Sequence, residues 1–268
     1  MPKVRLDALV FQRGLTESRE KARALIMEGS VYVNGMKADK AGMQVKEDVS
    51  IEVKDPSCPY VSRGGLKLDK ALKVFDIDVT GYICLDIGAS TGGFTDCLLK
   101  HGASHVYSVD VGTNQLAYVL RTDPRVTVYE KSNFRYFERT LVPDDLNIVV
   151  MDVSFISITK LADNIRNFVT DETDMVFLIK PQFESDRTTV GKNDGVITDA
   201  ADHVRIVSSV VSAMEEKGFY VRDMDYSPIK GPKGNTEFVT RFTLREDLRH
   251  EDVSALVKDS DERAHREL

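Results

Sequence analysis

Apolar and polar positions divide the chain into two regions with different periodicities. From residue 82 onward, short apolar runs alternate with amphipathic segments of helical period, which predicts repeated strand–helix units. Because the runs are apolar throughout, both faces of each strand are expected to be buried, as in a parallel sheet covered by helices. This region therefore predicts an α/β fold with a doubly wound, Rossmann-like sheet. The predicted strands are 83–85, 105–109, 126–129, 147–151, 175–179, 220–224 and 238–244, and the predicted helices are 93–99, 115–120, 158–168 and 200–217.

The first 53 residues have a different pattern, with two short helices followed by two short strands. Apolar residues at helical spacing predict a helix over 4–13, and Thr16 can cap a second helix. Asn34-Gly35 is the strongest two-residue hairpin signal, and it follows the first predicted strand directly. The predicted strands of this region are 31–33 and 49–53.

These patterns predict two domains of unequal size. We expect a small α+β domain over 1–55, a linker over 56–61 and a large domain over 62–245. The remaining residues, 246–268, are expected to form a solvated helix or a frayed tail.

Composition excludes several classes of protein. The 268 residues are 42% hydrophobic and 29% charged, as in an ordinary globular protein rather than a disordered one. No run approaches the roughly 18 apolar residues that cross a bilayer, and the charged N-terminus gives no sign of a secretory signal. We therefore expect a cytoplasmic protein with no membrane partner. Scattered cysteines (Cys58, Cys84, Cys97) and five dispersed histidines predict no metal site.

Charge is distributed unevenly along the chain. The net charge is −7, yet residues 1–67 carry 12 Lys and Arg against 9 Asp and Glu, whereas the remainder carries 24 against 34. A basic front on an acidic body fits a small nucleic-acid-binding module joined to another domain, although a solvated surface explains the difference nearly as well.

A glycine-containing loop follows the first strand of the large domain. Asp86 precedes Gly88 and Gly92, but residues 89–91 break the GxGxxG spacing of a dinucleotide site. The loop better suits S-adenosylmethionine, which has a methionine ammonium and carboxylate but no pyrophosphate. Asp110 ends the next strand, where a carboxylate can accept both hydroxyls of an adenosine ribose. The alternative for either aspartate is a helix N-cap.

Four further ionisable residues stand at the ends of predicted elements. Lys67 lies just inside the first helix of the large domain, and Glu237 precedes its last strand. Asp152 and Lys180 directly follow the fourth and fifth strands, whose ends should border the cofactor pocket. The alternative for each residue is a surface ion pair or a strand-end cap.

The N-terminal pattern resembles the S4 RNA-binding domain. The resemblance covers residues 4–53 and includes Ser18-Arg19-x-x-Ala22 on the second helix. It implies that a basic face grips structured RNA by its shape and phosphates. Solvated surface charge is the alternative role for each of the candidate contacts, which are Arg5, Arg13, Arg19, Lys21, Arg23 and, at the start of the large domain, Arg63.

Five motifs of the large domain resemble the TlyA (hemolysin A) family, in which an S4 domain is fused to an FtsJ-like ribose methyltransferase domain. They are Ser62-Arg63-Gly64-Gly65-x-Lys67-Leu68, the 86–94 loop, Asp152-Val153-Ser154-Phe155-Ile156-Ser157, Lys180-Pro181-Gln182-Phe183-Glu184 and Gly234-Asn235-x-Glu237. The resemblance implies S-adenosylmethionine-dependent 2′-O-methylation of cytidine in ribosomal RNA. It also implies a catalytic set of Lys67, Asp152, Lys180 and Glu237, called the tetrad below. The candidate cofactor residues are Asp86, Gly88, Ser90, Gly92, Asp110 and Asn133.

The chemistry assigns a role to each member of the tetrad. Lys180 is expected nearest the ribose hydroxyl, as a base if neutral or as a stabiliser of the alkoxide if charged. Asp152 and Glu237 would orient the two lysines, and Lys67 would hold the hydroxyl or a phosphate. The flanking segments 183–198 and 228–234 are candidate lids or plain mobile loops.

Three other functions compete with this one. A nicotinamide oxidoreductase would use the same sheet but leaves the lysines and the S4-like module unexplained. A non-catalytic RNA-binding or ribosome-assembly factor needs only that module, which makes it the better rival. A pore-forming hemolysin would need a membrane-inserting segment, and the sequence offers none.

Overall fold

The computed structural model describes residues 3–16, 18–27, 29–53, 58–185, 195–231 and 233–268. The N-terminal region folds around its own small core, which includes Leu6, Val10, Ile26, Val31 and Ile51. Its elements are β1 (Lys3–Arg5), α1 (Leu6–Gln12), α2 (Arg19–Met27), β2 (Val31–Val33), β3 (Met36–Lys37), β4 (Gln44–Lys46) and β5 (Ile51–Val53).

The predicted hairpin forms, but with a different partner strand. Asn34 and Gly35 have φ angles of 50° and 76° and turn β2 into β3, and β2 also pairs antiparallel with β5. The pair β1–β4 was not predicted. Each of these two strands has three residues with a single apolar side chain between charged or polar ones, which is too short a pattern to indicate a strand.

The large region alternates strands and helices as expected. Its elements are α3 (Gly64–Val74), β6 (Ile83–Ile87), α4 (Gly93–Lys100), β7 (His105–Val109), α5 (Tyr118–Arg121), β8 (Val126–Tyr129), β9 (Ile148–Met151), α6 (Ala162–Ile165), β10 (Asp174–Ile179), α7 (Pro181–Glu184), α8 (Ala200–Glu215), β11 (Tyr220–Tyr226), β12 (Phe238–Thr243) and α9 (Val253–Glu267). The helix predicted over 158–168 is instead a 3₁₀ turn, Ile158–Lys160, followed by the short α6.

The strands form one seven-stranded sheet in the order β11-β12-β10-β9-β6-β7-β8. Five neighbouring strands pair in parallel, in the order β10, β9, β6, β7 and β8. The expectation of a wholly parallel sheet was wrong for β12, which is antiparallel to both β10 and β11. Among the described residues between β11 and β12 (227–231 and 233–237) there is no helix, and the chain reverses direction between the two strands instead of crossing over.

The order of the strands places a crevice at the centre of the sheet. The chain proceeds from β6 to β7 and β8 on one side, and then returns to β9 and β10 on the other. Ile87 at the end of β6 is in register with Met151 of β9 and Val109 of β7, so these strands end at the same level. Ligands of open α/β sheets bind at such a switch point.

The C-terminal helix α9 is not solvated on all sides. One face, including Val253, Val257 and Ala264, is buried in the core beside β11, and the Ser260 hydroxyl donates to the carbonyl of Met224 at 3.3 Å. Among the helices of the described residues, none is both long enough and apolar enough to cross a membrane.

Candidate active site

The four side chains of the tetrad form a continuous chain of ion pairs. Nζ of Lys67 lies 2.5 Å from Oε2 of Glu237 and 3.4 Å from Oδ2 of Asp152. The other oxygen of Asp152, Oδ1, lies 2.5 Å from Nζ of Lys180. The side chains of both lysines and of Glu237 are less than one tenth exposed, and that of Asp152 is 18% exposed. The sequence predicted these residues, and the fold brings all four together.

The direction of the strands explains why residues so far apart in sequence meet. Asp152 and Lys180 follow the neighbouring parallel strands β9 and β10, so both stand at the carboxyl edge of the sheet. Glu237 precedes β12, which is antiparallel to β10 and pairs Phe238 with Ile179. The start of β12 therefore lies beside the end of β10, and Glu237 reaches the same edge.

Glycines bring Lys67 to this edge on helix α3. A Cβ on Gly93, at the start of α4, would lie 2.7 Å from the backbone nitrogen of Gly65 and 2.5 Å from Oγ of Ser62. The two helices can approach this closely only because no side chain is present. The Val61 amide donates to Oδ2 of Asp96 at 2.8 Å and fixes the chain just before α3.

Burial and ion pairing act in opposite directions on the charges of the tetrad. Burial alone would lower the pKa of Lys67, but the carboxylates of Asp152 and Glu237 outweigh it, so that pKa is raised. Burial alone would raise the pKa of Asp152, but Lys180 and Lys67 outweigh it and lower that pKa to about 2. Lys67 is therefore held as an ammonium and Asp152 as a carboxylate.

Three neighbouring positions complete the cluster. Nζ of Lys180 donates to Oγ of Ser154 at 3.1 Å, and Nε2 of Gln182 donates to Oε1 of Glu237 at 3.3 Å. A Cβ on Gly231 would lie 2.7 Å from that Oε1, so a side chain there would displace the carboxylate. Sequence reasoning quoted Ser154 and Gln182 within motifs but gave them no role, because neither is ionisable.

Phe155 is an exposed aromatic residue beside the tetrad. Its side chain is 90% exposed, and its φ of 65° is in the left-handed region, which is unusual for a bulky residue. Its ring lies 4.9 Å from that of Phe183, whose centroid is 5.8 Å from Nζ of Lys180. Strain of this kind persists at sites where it serves a purpose. The hydrophobicity pattern of the sequence cannot show that Phe155 is exposed, because it predicts burial for a phenylalanine.

Asp86, near the end of β6, carries one buried carboxylate oxygen that lacks a hydrogen-bond partner among the described residues. Asp86 is fully buried and accepts a 2.6 Å hydrogen bond at Oδ2 from Thr95, whereas its Oδ1 has no hydrogen-bond partner among the described residues. Burial is the main cause that raises the pKa of Asp86 to about 7; the Thr95 hydroxyl opposes it, and the charges of Asp152 and Asp110 add to it.

The glycines of this loop are required by close contacts. Gly88 has a φ of 84°, and a Cβ there would lie 2.7 Å from the carbonyl oxygen of Asp152. Gly92 has a φ of 95°, and a Cβ there would lie 2.3 Å from Cδ1 of Leu120. The loop is thus packed directly against the strand end that carries the tetrad's central carboxylate.

Asp110 and Ser90, which follow the neighbouring strands β7 and β6, are tied to each other. The amide of Ser90 donates to Oδ2 of Asp110 at 2.8 Å, and that of Gly112 donates to Oδ1 at 2.6 Å. Each carboxylate oxygen keeps a second lone pair for a ligand. Asn133 is exposed and caps a 3₁₀ turn by accepting from the Arg135 amide at 3.0 Å. Cofactor binding by these residues stays a prediction.

The predicted RNA contacts fall into two groups. Arg5 and Arg19 both donate to the buried carboxylate of Asp7, while keeping nearly half of each side chain exposed. Arg13 donates to the carbonyls of Val49 and Glu47, which gives it a structural role between α1 and the loop before β5. The side chains in the second group are exposed: Lys21, Arg23 and Arg63. Contact with RNA stays a prediction for all six.

The two regions of the chain touch around the start of α5. The Tyr118 amide at the start of α5 donates to Oε1 of the buried Glu52 at 2.8 Å, and Nδ2 of Asn114 donates to the carbonyl of Asp48 at 2.6 Å. This contact connects the S4-like region with the segment that follows Asp110.

Two family models define the class of this protein as an S4-containing methyltransferase. The family model described as FtsJ-like methyltransferase matches residues 60–243, and the S4 domain model matches residues 4–51. The chain belongs to the TlyA family of S4-domain proteins with an FtsJ-like methyltransferase domain.

Relatives of full length support this assignment. Hemolysin A of Brachyspira hyodysenteriae is 46% identical over 242 residues, which cover 90% of this chain and 100% of that protein. The 16S/23S rRNA (cytidine-2′-O)-methyltransferase TlyA of Mycobacterium tuberculosis is 40% identical, with 88% of each chain covered. The solved structure of a Streptococcus thermophilus protein that carries the hemolysin name has a TM-score of 0.81 and is 40% identical, over 100% of this chain and 97% of its own.

Proposed function

We propose that this protein methylates the ribose 2′-hydroxyl of cytidine in ribosomal RNA with S-adenosylmethionine as the methyl donor. The observation that carries the proposal is the meeting of Lys67, Asp152, Lys180 and Glu237 at the switch point of the sheet. The names of the relatives from Mycobacterium tuberculosis and Campylobacter jejuni supply the nucleotide and the class of RNA. Such a substrate also implies a cytoplasmic site of action.

The residues around the crevice fit the proposed donor. The free Oδ1 of Asp86 suits an ammonium group, and Asp110 retains acceptor capacity for the two hydroxyls of a ribose. Gly88 and Gly92 adopt φ angles that side chains disfavour, which lets the loop turn tightly beside the crevice where the donor would bind. When bound, S-adenosylmethionine supplies a methyl group that its sulfonium already activates, so the protein mainly has to orient the attacking oxygen.

Lys180 is the proposed group at the ribose hydroxyl. Lys67 contacts two carboxylates and is held charged, whereas Lys180 contacts one carboxylate and the neutral hydroxyl of Ser154. Nζ of Lys180 therefore has capacity left for a third partner. In this role it accepts the proton of the 2′-hydroxyl if it is neutral, or stabilises the developing alkoxide if it is charged.

The other members of the tetrad position Lys180. Asp152 bridges the two lysines with its two oxygens, and Glu237 anchors Lys67 from the opposite side with support from Gln182. This arrangement keeps the amine of Lys180 from rotating away from the reaction path. The exposed ring of Phe155 next to it offers a face on which a nucleobase can stack.

The experiment is a methyl-transfer assay on separated ribosomal subunits with labelled S-adenosylmethionine, followed by mapping of the modified nucleotide. We expect label in RNA at a cytidine ribose for the wild type and for Lys217→Ala, which removes only a surface ion pair with Asp163. Lys180→Ala is expected to leave both subunits unlabelled.

Two results would contradict the proposal. Label on a base rather than a ribose would overturn the reaction assigned to the site. Tight binding of the subunits with no transfer by the wild type would favour a non-catalytic RNA-binding factor instead.

A further inference from the structure

A second cluster of ionisable side chains lies away from the tetrad, between the last two helices. Nδ1 of His203, on α8, is 3.1 Å from Oδ1 of Asp261 and 3.2 Å from Nε2 of His265, both on α9. The third side of the triangle, from Nε2 of His265 to Oδ1 of Asp261, measures 3.5 Å. We call these three residues the His–Asp–His cluster.

The spacing of the three atoms matches the coordination shell of a metal ion. Zinc bonds of 2.0 to 2.2 Å in a tetrahedron place neighbouring ligand atoms about 3.3 Å apart. The three observed separations, 3.1, 3.2 and 3.5 Å, lie around that value. Two imidazoles and one carboxylate are a common donor set for zinc, and three protein ligands leave a fourth position for water.

A separate observation fixes the orientation of the buried imidazole. Nε2 of His203 lies 3.0 Å from the carbonyl oxygen of Ile197. Because a carbonyl only accepts, Nε2 must carry the hydrogen, and Nδ1 of the neutral ring presents its lone pair to the other two atoms. Metal-bound histidines commonly donate their second ring N–H to a backbone carbonyl in this way.

Burial makes a positive charge necessary at this point. The side chains of His203 and Asp261 are 1% and 2% exposed, and within the described ranges the ion-pair partners of Asp261 are the two histidines. A metal cation bound between Asp261 and the two imidazoles would balance this buried charge, and the imidazole lone pairs would coordinate it. Asp261 also borders a groove of about 360 Å³ between α8 and α9, through which an ion can enter.

We propose that His203, Asp261 and His265 bind one Zn²⁺ ion that clamps α9 onto α8. The sequence predicted no metal site, because its histidines are dispersed and 62 positions separate His203 from His265. The proposal replaces that prediction. The clamp extends toward the tetrad, because the Ile197 amide donates to Oδ1 of Asn235 at 2.9 Å, two positions before Glu237. Zinc binding would thus hold Ile197 and the start of α8 together with the C-terminal helix.

The test measures zinc binding by the full-length protein after treatment with a chelator. We expect one Zn²⁺ per chain by elemental analysis, an affinity measurable by competition with a chromophoric chelator, and a higher melting temperature on adding zinc. Co²⁺ in the same site is expected to give the visible absorption bands of tetrahedral coordination.

Three variants locate the ion. His265→Ala changes the most exposed ligand, and Asp261→Asn keeps the shape of the side chain; each is expected to weaken zinc binding more than about 100-fold, beyond the loss seen for supporting residues. His101→Ala is the control, because it removes a histidine from a separate group with Asp69 and Cys97, and it should bind zinc normally.

The proposal is overturned if folded wild-type protein takes up no zinc, in which case the contacts of His203 are hydrogen bonds only. Zinc retained by both His265→Ala and Asp261→Asn, or lost in His101→Ala, would overturn it as well. None of these readouts depends on methyl transfer, so the test is independent of the proposed function.

Discussion

Oε2 of Glu237 lies 2.5 Å from Nζ of Lys67, although 170 positions separate the two residues. The contact joins the first helix of the large region to its last strand, and it exists because β12 runs antiparallel to its neighbour β10. Were β12 parallel like the central strands, Glu237 would lie at the opposite edge of the sheet. The strand that departs from the parallel pattern is thus the one that completes the site.

The first prediction concerns this ion pair. Glu237→Gln keeps the size of the side chain but removes the charge that anchors Lys67, so we expect methyl transfer to fall by at least about 10-fold. The affinity for S-adenosylhomocysteine should not change, since Glu237 is not among the cofactor candidates. Steady-state kinetics and equilibrium titration measure the two quantities. Glu172→Gln, at an exposed position, is the matched control, and equal losses in both variants would remove Glu237 from the site.

A second prediction follows from the buried carboxyl group of Asp86. Its pKa of about 7 in the folded protein exceeds the value of about 4 expected in the unfolded chain. The neutral acid therefore stabilises the fold below pH 4, and this contribution is lost as the pH rises toward 7. Urea unfolding across this range should show that the wild type loses stability relative to Asp86→Asn. A difference that does not vary with pH would show that Asp86 titrates normally.

A third prediction separates two costs of replacing a glycine. Gly88→Ala meets both a left-handed φ of 84° and the carbonyl oxygen of Asp152 at 2.7 Å. Gly81→Ala meets a φ of 76° with no atom within 4 Å, so it isolates the backbone cost of about 1 to 2 kcal/mol. We expect the free energy of unfolding to fall by a further 1 kcal/mol or more, roughly, in Gly88→Ala. Equal losses would mean that the loop moves away from Asp152 without cost.

The fourth prediction concerns the exposed ring of Phe155. If a base stacks on this ring, Phe155→Ala should weaken the binding of the RNA substrate by about 1 to 3 kcal/mol, because stacking contributes that much per base. The weaker binding would be measured as a rise in KM for RNA. Phe155→Tyr keeps the aromatic face and should behave nearly as wild type. Cofactor affinity should be the same in all three proteins. An unchanged KM for Phe155→Ala would contradict a stacking role.

Much of the fold was predictable because its strands are continuous apolar runs. β7 and β8 have the predicted bounds, and β9 and β10 differ from prediction by one residue. The short helices were less predictable: α7 spans four residues, and the segment over 158–168 divides into two short pieces. Such pieces depend on tertiary contacts, for example the carboxylate of Glu184 that accepts from the Ile158 amide at 2.9 Å.

The tetrad was predictable because its members stand at the ends of predicted elements. Asp152 and Lys180 follow apolar strands, Lys67 and Glu237 lie at the starts of a helix and a strand, and motif resemblance then implied their catalytic role. The His–Asp–His cluster could not be recognised, because its members lie on two helices whose packing the sequence does not indicate. Three predicted segments lie partly outside the described residues: residues 56 and 57 of the linker predicted over 56–61, residues 186–194 of the candidate lid over 183–198, and residue 232 of the second candidate lid.

The most direct test of the account is single-turnover methyl transfer by Lys180→Ala with saturating cofactor and RNA. Under these conditions binding no longer limits the rate, so the measurement isolates the step at the 2′-hydroxyl. The account predicts a loss of about 10² to 10⁴-fold, the range of a positioned acid or base, with normal affinity for S-adenosylhomocysteine and normal transfer by Lys217→Ala. Transfer by Lys180→Ala within a few-fold of the wild-type rate would contradict it.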